Sequence, residues 1–207
     1  MFIKYTSIEN TYNEKYLKGR LIRYPELIKR MYIMQHKYDG SNFQIIFKKN
    51  EPVKYASRNK LLVEGEKFFG YKTFLPNIKG VEETVQKFLE NSEFEEVNLY
   101  GELYGSKVNG RIKYESEAGL NIKFFDVYFD RVVKSPEFFY EWTKKLEIPE
   151  KFIVETMTPN PVSLDDCLKF DTSSVKTNCD DIIEGKELLI KTLKRCFINQ
   201  SLNIKGL

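Results

Sequence analysis

The chain of 207 residues is long enough to bury a sizeable core, and its composition, 42% apolar and 30% charged, excludes an intrinsically disordered protein. A net charge of +3 excludes a strongly basic surface over the whole molecule, and no apolar run reaches the roughly 18 residues that a membrane-spanning helix needs. The three cysteines are widely spaced, which indicates reduced thiols rather than zinc ligands and predicts a cytoplasmic protein.

The first half of the chain contains helix and hairpin signals. Residues 12–34 have a helix-like pattern that is interrupted at Pro25, where a helix must end or begin. Alternating apolar residues and a break at Pro52 predict a β-hairpin over 41–57. Residues 80–91 carry apolar side chains at helical spacing and predict an amphipathic helix.

The middle of the chain contains two apolar segments followed by a helix start. Strands are predicted at 97–103 and at 122–129, the second buried on both faces. Ser135 followed by Pro136 is typical of a helix N-terminus, and the predicted helix extends to Leu146.

The last third of the chain yields weaker signals. Ser163 with Asp166 three residues later predicts a capped short helix, and late strands are predicted at 182–191 and 202–205. Strands and helices do not alternate regularly along the chain. We therefore expect an α+β fold with antiparallel sheets, forming a single domain over residues 1–207.

The strongest local signal for chemistry is Lys37, in the sequence HKYDGSNF at 36–43. The lysine precedes an Asp-Gly turn between two apolar strands, which would hold it at the edge of a pocket. A neutral lysine amine attacks phosphorus, and burial, nearby cations or a metal ion favour the neutral form. On its own, KYDG equally fits a surface lysine before a hairpin turn.

Two carboxylates lie in predicted strands. Glu102 is in YGELYG at 100–105, where the glycines allow another group to approach the backbone closely. Its carboxylate suits ribose hydroxyls or a metal ion. Asp126 is in the apolar sequence FFDV, where an unpaired carboxylate is costly to bury. The alternatives are an exposed glutamate on a strand and a structural ion pair.

Charged residues near the C-terminus also fit phosphate chemistry. Glu184-Gly185 is followed by Lys191 and Lys205, and phosphoryl transfer needs both cations for the phosphates and carboxylates for the metal. No acidic residue follows Glu187. The basic stretch fits a phosphate-facing surface or a solvated strand face.

In this order, the motifs resemble the RNA ligase 2 family, which belongs to the covalent nucleotidyltransferase superfamily of polynucleotide ligases and capping enzymes. The family includes phage RNA ligases and RNA-editing ligases. The matching segments are the opening FIKYTSIEN, KYDG followed by SNF, SR at 57–58, FFG at 68–70, GELYG and FFDV. The resemblance extends from Phe2 to Lys205 and is strongest over 1–130.

The resemblance implies roles for residues in the first half of the chain. Lys37 is the nucleophile that takes AMP. Asp39 and Asn42 shape the pocket beside it. Arg58 contacts the phosphate or the RNA end. Glu102 binds the ribose and helps to hold the metal.

It implies further roles in the second half. Phe125 stacks on the adenine, and Asp126 supports the site. Glu184 acts in metal binding and in the chemical steps. Lys191 and Lys205 face the phosphates.

The resemblance also implies the fold, the reaction and the partners. The fold is an ATP-grasp-like nucleotidyltransferase domain with two antiparallel sheets, flanked by helices, around a nucleotide groove. The reaction uses ATP with Mg²⁺ or Mn²⁺ and proceeds through AMP bound covalently to Lys37. The substrate is RNA with a 5′-phosphate and a 3′-hydroxyl, sealed by a monomer without a membrane partner.

Three features differ from the family pattern. The segment between Glu184 and Lys191 is two residues longer than usual, Lys205 lacks a second lysine after it, and no separate C-terminal domain is expected. A minimal enzyme, a partner that engages the RNA end, and a degenerate copy all fit these differences. The other functions that remain open are a DNA ligase, a capping guanylyltransferase and a non-catalytic RNA-binding module.

Overall fold

The structure is a computed structural model that describes residues 2–5, 14–105, 108, 112, 114 and 119–170. The chain forms two compact units. The first comprises Met1–Tyr5 and Asp39–Val154, and the second comprises Thr6–Tyr38 and Glu155–Leu207. The boundary between Tyr38 and Asp39 therefore falls inside the KYDG motif.

An antiparallel five-stranded sheet forms the centre of the first unit. Its strands are β2 (Ser41–Lys48), β3 (Lys54–Ser57), β4 (Glu96–Gly105), β5 (Leu120–Phe129) and β6 (Val132–Val133). Their spatial order is β3-β2-β4-β5-β6, so that β4 pairs with both β2 and β5. The pairing of β2 with β3 confirms the predicted hairpin.

One face of this sheet is apolar and packs against two helices, α2 (Tyr71–Glu90) and α3 (Pro136–Lys145). Phe129, the last residue of β5, packs among aromatic rings, with its ring centroid 5.7 Å from Phe88, 5.4 Å from Trp142 and 4.7 Å from Phe94. Trp142 is buried, as its helical position predicts. These aromatic contacts join both helices to the end of β5.

The helix predicted at 80–91 begins earlier than expected. It starts at Tyr71, and Tyr71, Phe74 and Ile78 extend its buried stripe by two turns. Pro76 lies inside this helix and removes one backbone donor, which makes the first turns look like a loop in the sequence. Burial of the apolar stripe offsets that loss.

The second unit contains shorter elements. They are α1 (Glu14–Arg23), a 3₁₀ helix (Pro25–Lys29), β1 (Met31–Tyr32), β7 (Val162–Ser163) and α4 (Leu164–Lys169). The 3₁₀ helix begins at Pro25, where the helical pattern is interrupted. β1 and β7 form a two-stranded antiparallel sheet. The core of this unit contains Cys167, whose thiol pKa is raised to about 11 by burial.

Both predicted helix caps are present. The Ser135 side chain accepts a hydrogen bond from the Phe138 backbone N–H, and Pro136 occupies the first turn. Ser163 and Asp166 form a reciprocal capping box at the start of α4. Each cap satisfies backbone donors that the first turn of a helix leaves without partners.

The described residues have an α+β fold with two antiparallel sheets, as predicted. The late strands predicted at 182–191 and 202–205 lie outside the described residues. Among the helices that are described, none has the length and apolar character needed to cross a membrane.

We expect Phe129→Ala to lower the free energy of unfolding by about 3–5 kcal/mol, because it leaves a cavity among several aromatic rings. The matched change Val132→Ala, at a residue that is 47% exposed on the neighbouring strand, should cost below about 1 kcal/mol. Urea unfolding of the two variants measures the difference. Equal losses of unfolding free energy in the two variants would contradict the close packing of Phe129 among the aromatic rings.

Candidate active site

The segment that carries Lys37 lies in the second unit and runs antiparallel to the chain from Glu155 to Ser163. Met31 pairs with Ser163, and the Met157 backbone N–H donates to the Met34 carbonyl at 2.8 Å. Gln35 forms an isolated antiparallel bridge with Thr156. These backbone pairings fix the path of the chain up to Lys37.

Glu155 contacts both neighbours of Lys37. Its backbone carbonyl accepts from the His36 N–H at 2.9 Å, and its carboxylate accepts from the Tyr38 hydroxyl at 3.0 Å. The His36 Nδ1 atom is 3.9 Å from the same carboxylate oxygen. Glu155 thus holds the His36 backbone before Lys37 and the Tyr38 side chain after it, and Lys37 is itself half-buried.

The first unit resumes at Asp39-Gly40, where the chain approaches β4 closely. A Cβ atom at Gly40 would collide with the Leu103 carbonyl oxygen and lie 3.0 Å from Cγ of Glu102. The Asp39 backbone N–H donates to the Tyr114 hydroxyl at 2.5 Å. A glycine is therefore needed at this position to bring Asp39-Gly40 against the strand that carries Glu102.

Three polar residues form one rung across the sheet, on the face opposite to α2 and α3. Asn42 on β2 lies opposite Glu102 on β4, and Glu102 lies opposite Lys123 on β5. Directly opposite residues of antiparallel strands project to the same face with Cβ atoms about 4.5–5.5 Å apart. The sheet thus brings an amide, a carboxylate and an ammonium group together.

A β-bulge in β5 adds two more predicted site residues to this face. Tyr100 pairs with Asp126 but Gly101 pairs with Phe124, so that Phe125 is the extra residue. Without the bulge, Lys123 and Asp126 would project to opposite faces, because they are three positions apart. With it, both share the polar face.

Tyr5 packs against the bulge. Its hydroxyl donates to Oδ2 of Asp126 at 2.8 Å, and its ring meets that of Phe125 edge-on, with centroids 5.3 Å apart. Asp126 is only 1% exposed and Phe125 only 3%. The carboxylate predicted to support the site is therefore itself supported by a hydroxyl donor from the N-terminal segment.

The polar face continues as a buried hydrogen-bond network. The Gln44 amide nitrogen donates to Oδ1 of Asn98 at 2.6 Å and to the Tyr100 hydroxyl at 3.1 Å. Burial raises the pKa of Tyr100, and the neighbouring Tyr128 and Asp126 act in the same direction. Tyr100 consequently stays a neutral donor, and its hydroxyl donates to the Ile3 carbonyl at 3.3 Å.

Asn42 offers an acceptor to a bound group. Its side chain is 7% exposed, and its Oδ1 atom is buried without a hydrogen-bond partner among the described residues. A buried acceptor without a donor costs about 1–3 kcal/mol. Next to the Glu102 carboxylate, this oxygen fits a hydroxyl donor or a metal ion, which are the groups a nucleotide with its cation supplies.

The remaining predicted site residues are distributed more widely. Arg58 follows β3 and is exposed, without a side-chain hydrogen bond or ion pair in the described part of the chain. Glu184, Lys191 and Lys205 lie outside the described residues. Within the residues that the structure describes, no three acidic, histidine or cysteine side chains cluster to hold a metal.

The sequence did not identify Tyr5, Tyr114 or Lys123 as parts of the site. Tyr5 and Tyr114 approach it from distant parts of the chain, and no sequence spacing reveals such contacts. Lys123 did carry a signal, because it interrupts an apolar strand three residues before Asp126. It is 6% exposed, and its ammonium group donates to the Ile153 carbonyl at 3.3 Å.

The family model described as RNA ligase matches residues 30–195, which include Lys37 and the whole polar face apart from Tyr5 and Ile3. The chain belongs to the RNA ligase family. A relative in Trypanosoma brucei brucei, the mitochondrial RNA-editing ligase 2, is 27% identical over 111 residues, which cover 52% of this chain and 26% of that protein. The family match confirms the RNA ligase family that the motifs predict.

Solved RNA ligase structures have the same fold. A mutant Naegleria gruberi RNA ligase with ATP and Mn has a TM-score of 0.63 and 19% identity, covering 89% of this chain and 51% of that one. The same ligase with PPi has a TM-score of 0.62 and 19% identity, with 89% and 52% covered. This RNA ligase family chain spans about half the length of the Naegleria protein.

We expect Gly40→Ala to destabilise this family member by about 1–3 kcal/mol, because the new methyl group overlaps the Leu103 carbonyl oxygen. Gly80→Ala is the matched control. A Cβ at Gly80, inside α2, meets nothing within 4 Å, and the change should stabilise by about 0.5–1 kcal/mol. Urea unfolding compares them, and effects of the same sign would contradict the close approach.

We expect Tyr5→Phe to destabilise the protein by about 1.5–3 kcal/mol, because it removes a buried donor to the Asp126 carboxylate. Tyr71→Phe removes a hydroxyl that makes no hydrogen bond within the described residues from a buried tyrosine, and it should be close to neutral. Thermal and urea unfolding of both variants provide the measurement. A neutral Tyr5→Phe would show that the bond contributes nothing to stability.

Proposed function

We propose that this chain is the nucleotidyltransferase part of an ATP-dependent RNA ligase and that Lys37 is its nucleophile. The observation that carries the proposal is the RNA ligase family match over 30–195, which contains the KYDG motif. The polar rung beside Gly40 supports it, since its buried acceptor and its carboxylate suit a nucleotide. The Naegleria ligase, solved with ATP and Mn, supports the same cofactors here.

In the first step, the Lys37 amine attacks the α-phosphorus of ATP. An N–P bond forms, the bond to the β-phosphate oxygen breaks, and pyrophosphate leaves while the amine loses its proton to solvent. The attack needs the amine in line with the leaving oxygen. Glu155 favours this geometry, because it binds the His36 backbone N–H before Lys37 and the Tyr38 hydroxyl after it.

The second and third steps join the RNA. A 5′-phosphate oxygen of the RNA attacks the AMP phosphorus, the N–P bond breaks, and Lys37 recovers its amine. A 3′-hydroxyl then attacks the 5′-phosphorus and AMP leaves with the bonding electron pair. Arg58 is exposed and suits contact with the RNA phosphate at these steps.

The polar face would hold the adenosine. Glu102 accepts from the ribose hydroxyls, and Asn42 contributes its buried oxygen beside it. Phe125 stacks on the adenine. Asp126 keeps Phe125 in place through the Tyr5 hydroxyl, because both residues contact the same tyrosine. Asp39 shapes the turn next to the nucleophile.

Magnesium or manganese ions would neutralise charge that builds on the phosphates. Glu102 and Glu184 are the proposed ligands, with Lys191 and Lys205 facing the phosphates. The substrate would be an RNA with a 5′-phosphate and a 3′-hydroxyl, sealed by a monomer in the cytoplasm. We assign the adenylylation to one domain over residues 1–207.

The first test is self-labelling. Purified protein, free of bound AMP, is incubated with Mg²⁺ and ATP labelled at the α-phosphate, and label is measured on the denatured protein. We expect labelled wild type, and at least a 100-fold loss in Lys37→Ala, because that variant lacks the amine proposed to attack the α-phosphorus.

The matched control is Lys144→Ala, which removes an exposed lysine at the end of α3 and should retain label. A parallel reaction with labelled GTP separates a ligase from a capping enzyme. The proposal would be overturned if Lys37→Ala still became labelled, or if the folded wild type did not.

A further inference from the structure

Helix α1 and the residues that follow it concentrate positive charge. Residues 14–30 contain six basic and two acidic side chains, a net charge of +4, whereas the whole chain has only +3. Lys15, Lys18 and Arg23 on the helix are exposed, as are Lys29 and Arg30 after it. The modest net charge of the chain therefore conceals one strongly basic surface.

This surface contains a groove of about 500 Å³, lined by Lys15, Tyr16, Gly19, Arg20 and Arg23. Each of the five residues lies three or four positions from another of them, and so they share one side of α1. A Cβ at Gly19 would meet nothing within 4 Å, so the helix backbone at this glycine faces open space.

Tyrosine rings hold the guanidinium groups in place. Arg20 lies 5.3 Å from the centroid of Tyr16 and 5.9 Å from that of Tyr24, and its Nε donates to the Tyr16 hydroxyl at 3.2 Å. Arg23 lies 5.5 Å from the centroid of Tyr24. Cations ordered in advance lose less entropy when they bind an anion.

We propose that the α1 groove binds the phosphate backbone of single-stranded RNA. The inference rests on the proposed function for the identity of the substrate. Guanidinium and ammonium groups neutralise phosphates, and guanidinium is suited to bidentate contact with them. Tyr16 and Tyr24 add rings against which a base stacks. The groove increases affinity for the RNA strand and leaves the attack on ATP to Lys37.

The test measures binding of a 5′-phosphorylated single-stranded RNA by fluorescence anisotropy over a series of KCl concentrations. The first variant combines Lys15→Ala, Arg20→Ala and Arg23→Ala. Its matched control combines Lys87→Ala, Lys144→Ala and Lys145→Ala, which removes the same charge from exposed positions on α2 and α3. Circular dichroism checks the fold of both.

We expect Kd to rise at least tenfold at 50 mM KCl in the α1 variant and less than twofold in the control. The slope of log K against log[salt] should fall by about 2, since each lost phosphate contact on a single strand contributes about 0.7. A second variant, Arg20→Lys with Arg23→Lys, keeps the charge. It should retain the salt slope and lose affinity only a few-fold.

Equal Kd values for the two triple variants would overturn the proposal, and so would tight binding of poly-glutamate with no binding of RNA. Self-labelling with ATP is measured on the same preparations and needs no RNA. If the wild type binds RNA but does not become labelled from ATP, the ligase reaction is rejected and the α1 groove proposal stands. Labelling with unchanged RNA binding in the α1 variant would reject the groove alone.

Discussion

The antiparallel pairing of β4 with β2 on one side and β5 on the other decides which side chains of the first unit share a face. Because side chains alternate between the two faces along β4, Leu99 and Leu103 point to the helices while Tyr100 and Glu102 point the other way. The apolar side supplies stability through α2 and α3. The polar side carries the candidate site together with a buried hydrogen-bond network.

Local signals in the sequence predict much of this fold. Pro25, the Ser135 cap and the Ser163 capping box act within one helical turn, so their spacing is visible in the chain. The start of α2 was mispredicted because Pro76 hides a stripe that only tertiary burial supports. The contact of Tyr5 with Asp126 spans 121 positions, and no local pattern encodes it.

The candidate site has the same division between visible and hidden parts. Motif residues such as Lys37 and Glu102 can be identified from the sequence, but the residues that contact and position them cannot. Glu155 is an ordinary acidic residue in the sequence, yet it contacts both neighbours of Lys37. Lys123 becomes significant only when the register sets it opposite Glu102. The net charge of the chain likewise does not reveal the basic segment around α1, since acidic residues elsewhere cancel its charge.

The bulge in β5 has a consequence for how this strand tolerates deletions. Phe125 has no partner on β4, so a chain that lacked it would still pair Asp126 with Tyr100 and Phe124 with Gly101. Losing a residue distant from the bulge would instead shift one side of the strand by a rung and turn charged side chains into the apolar core. The pairing of β5 with β4 therefore does not need Phe125. What this residue contributes is its ring, on the face to which that ring projects.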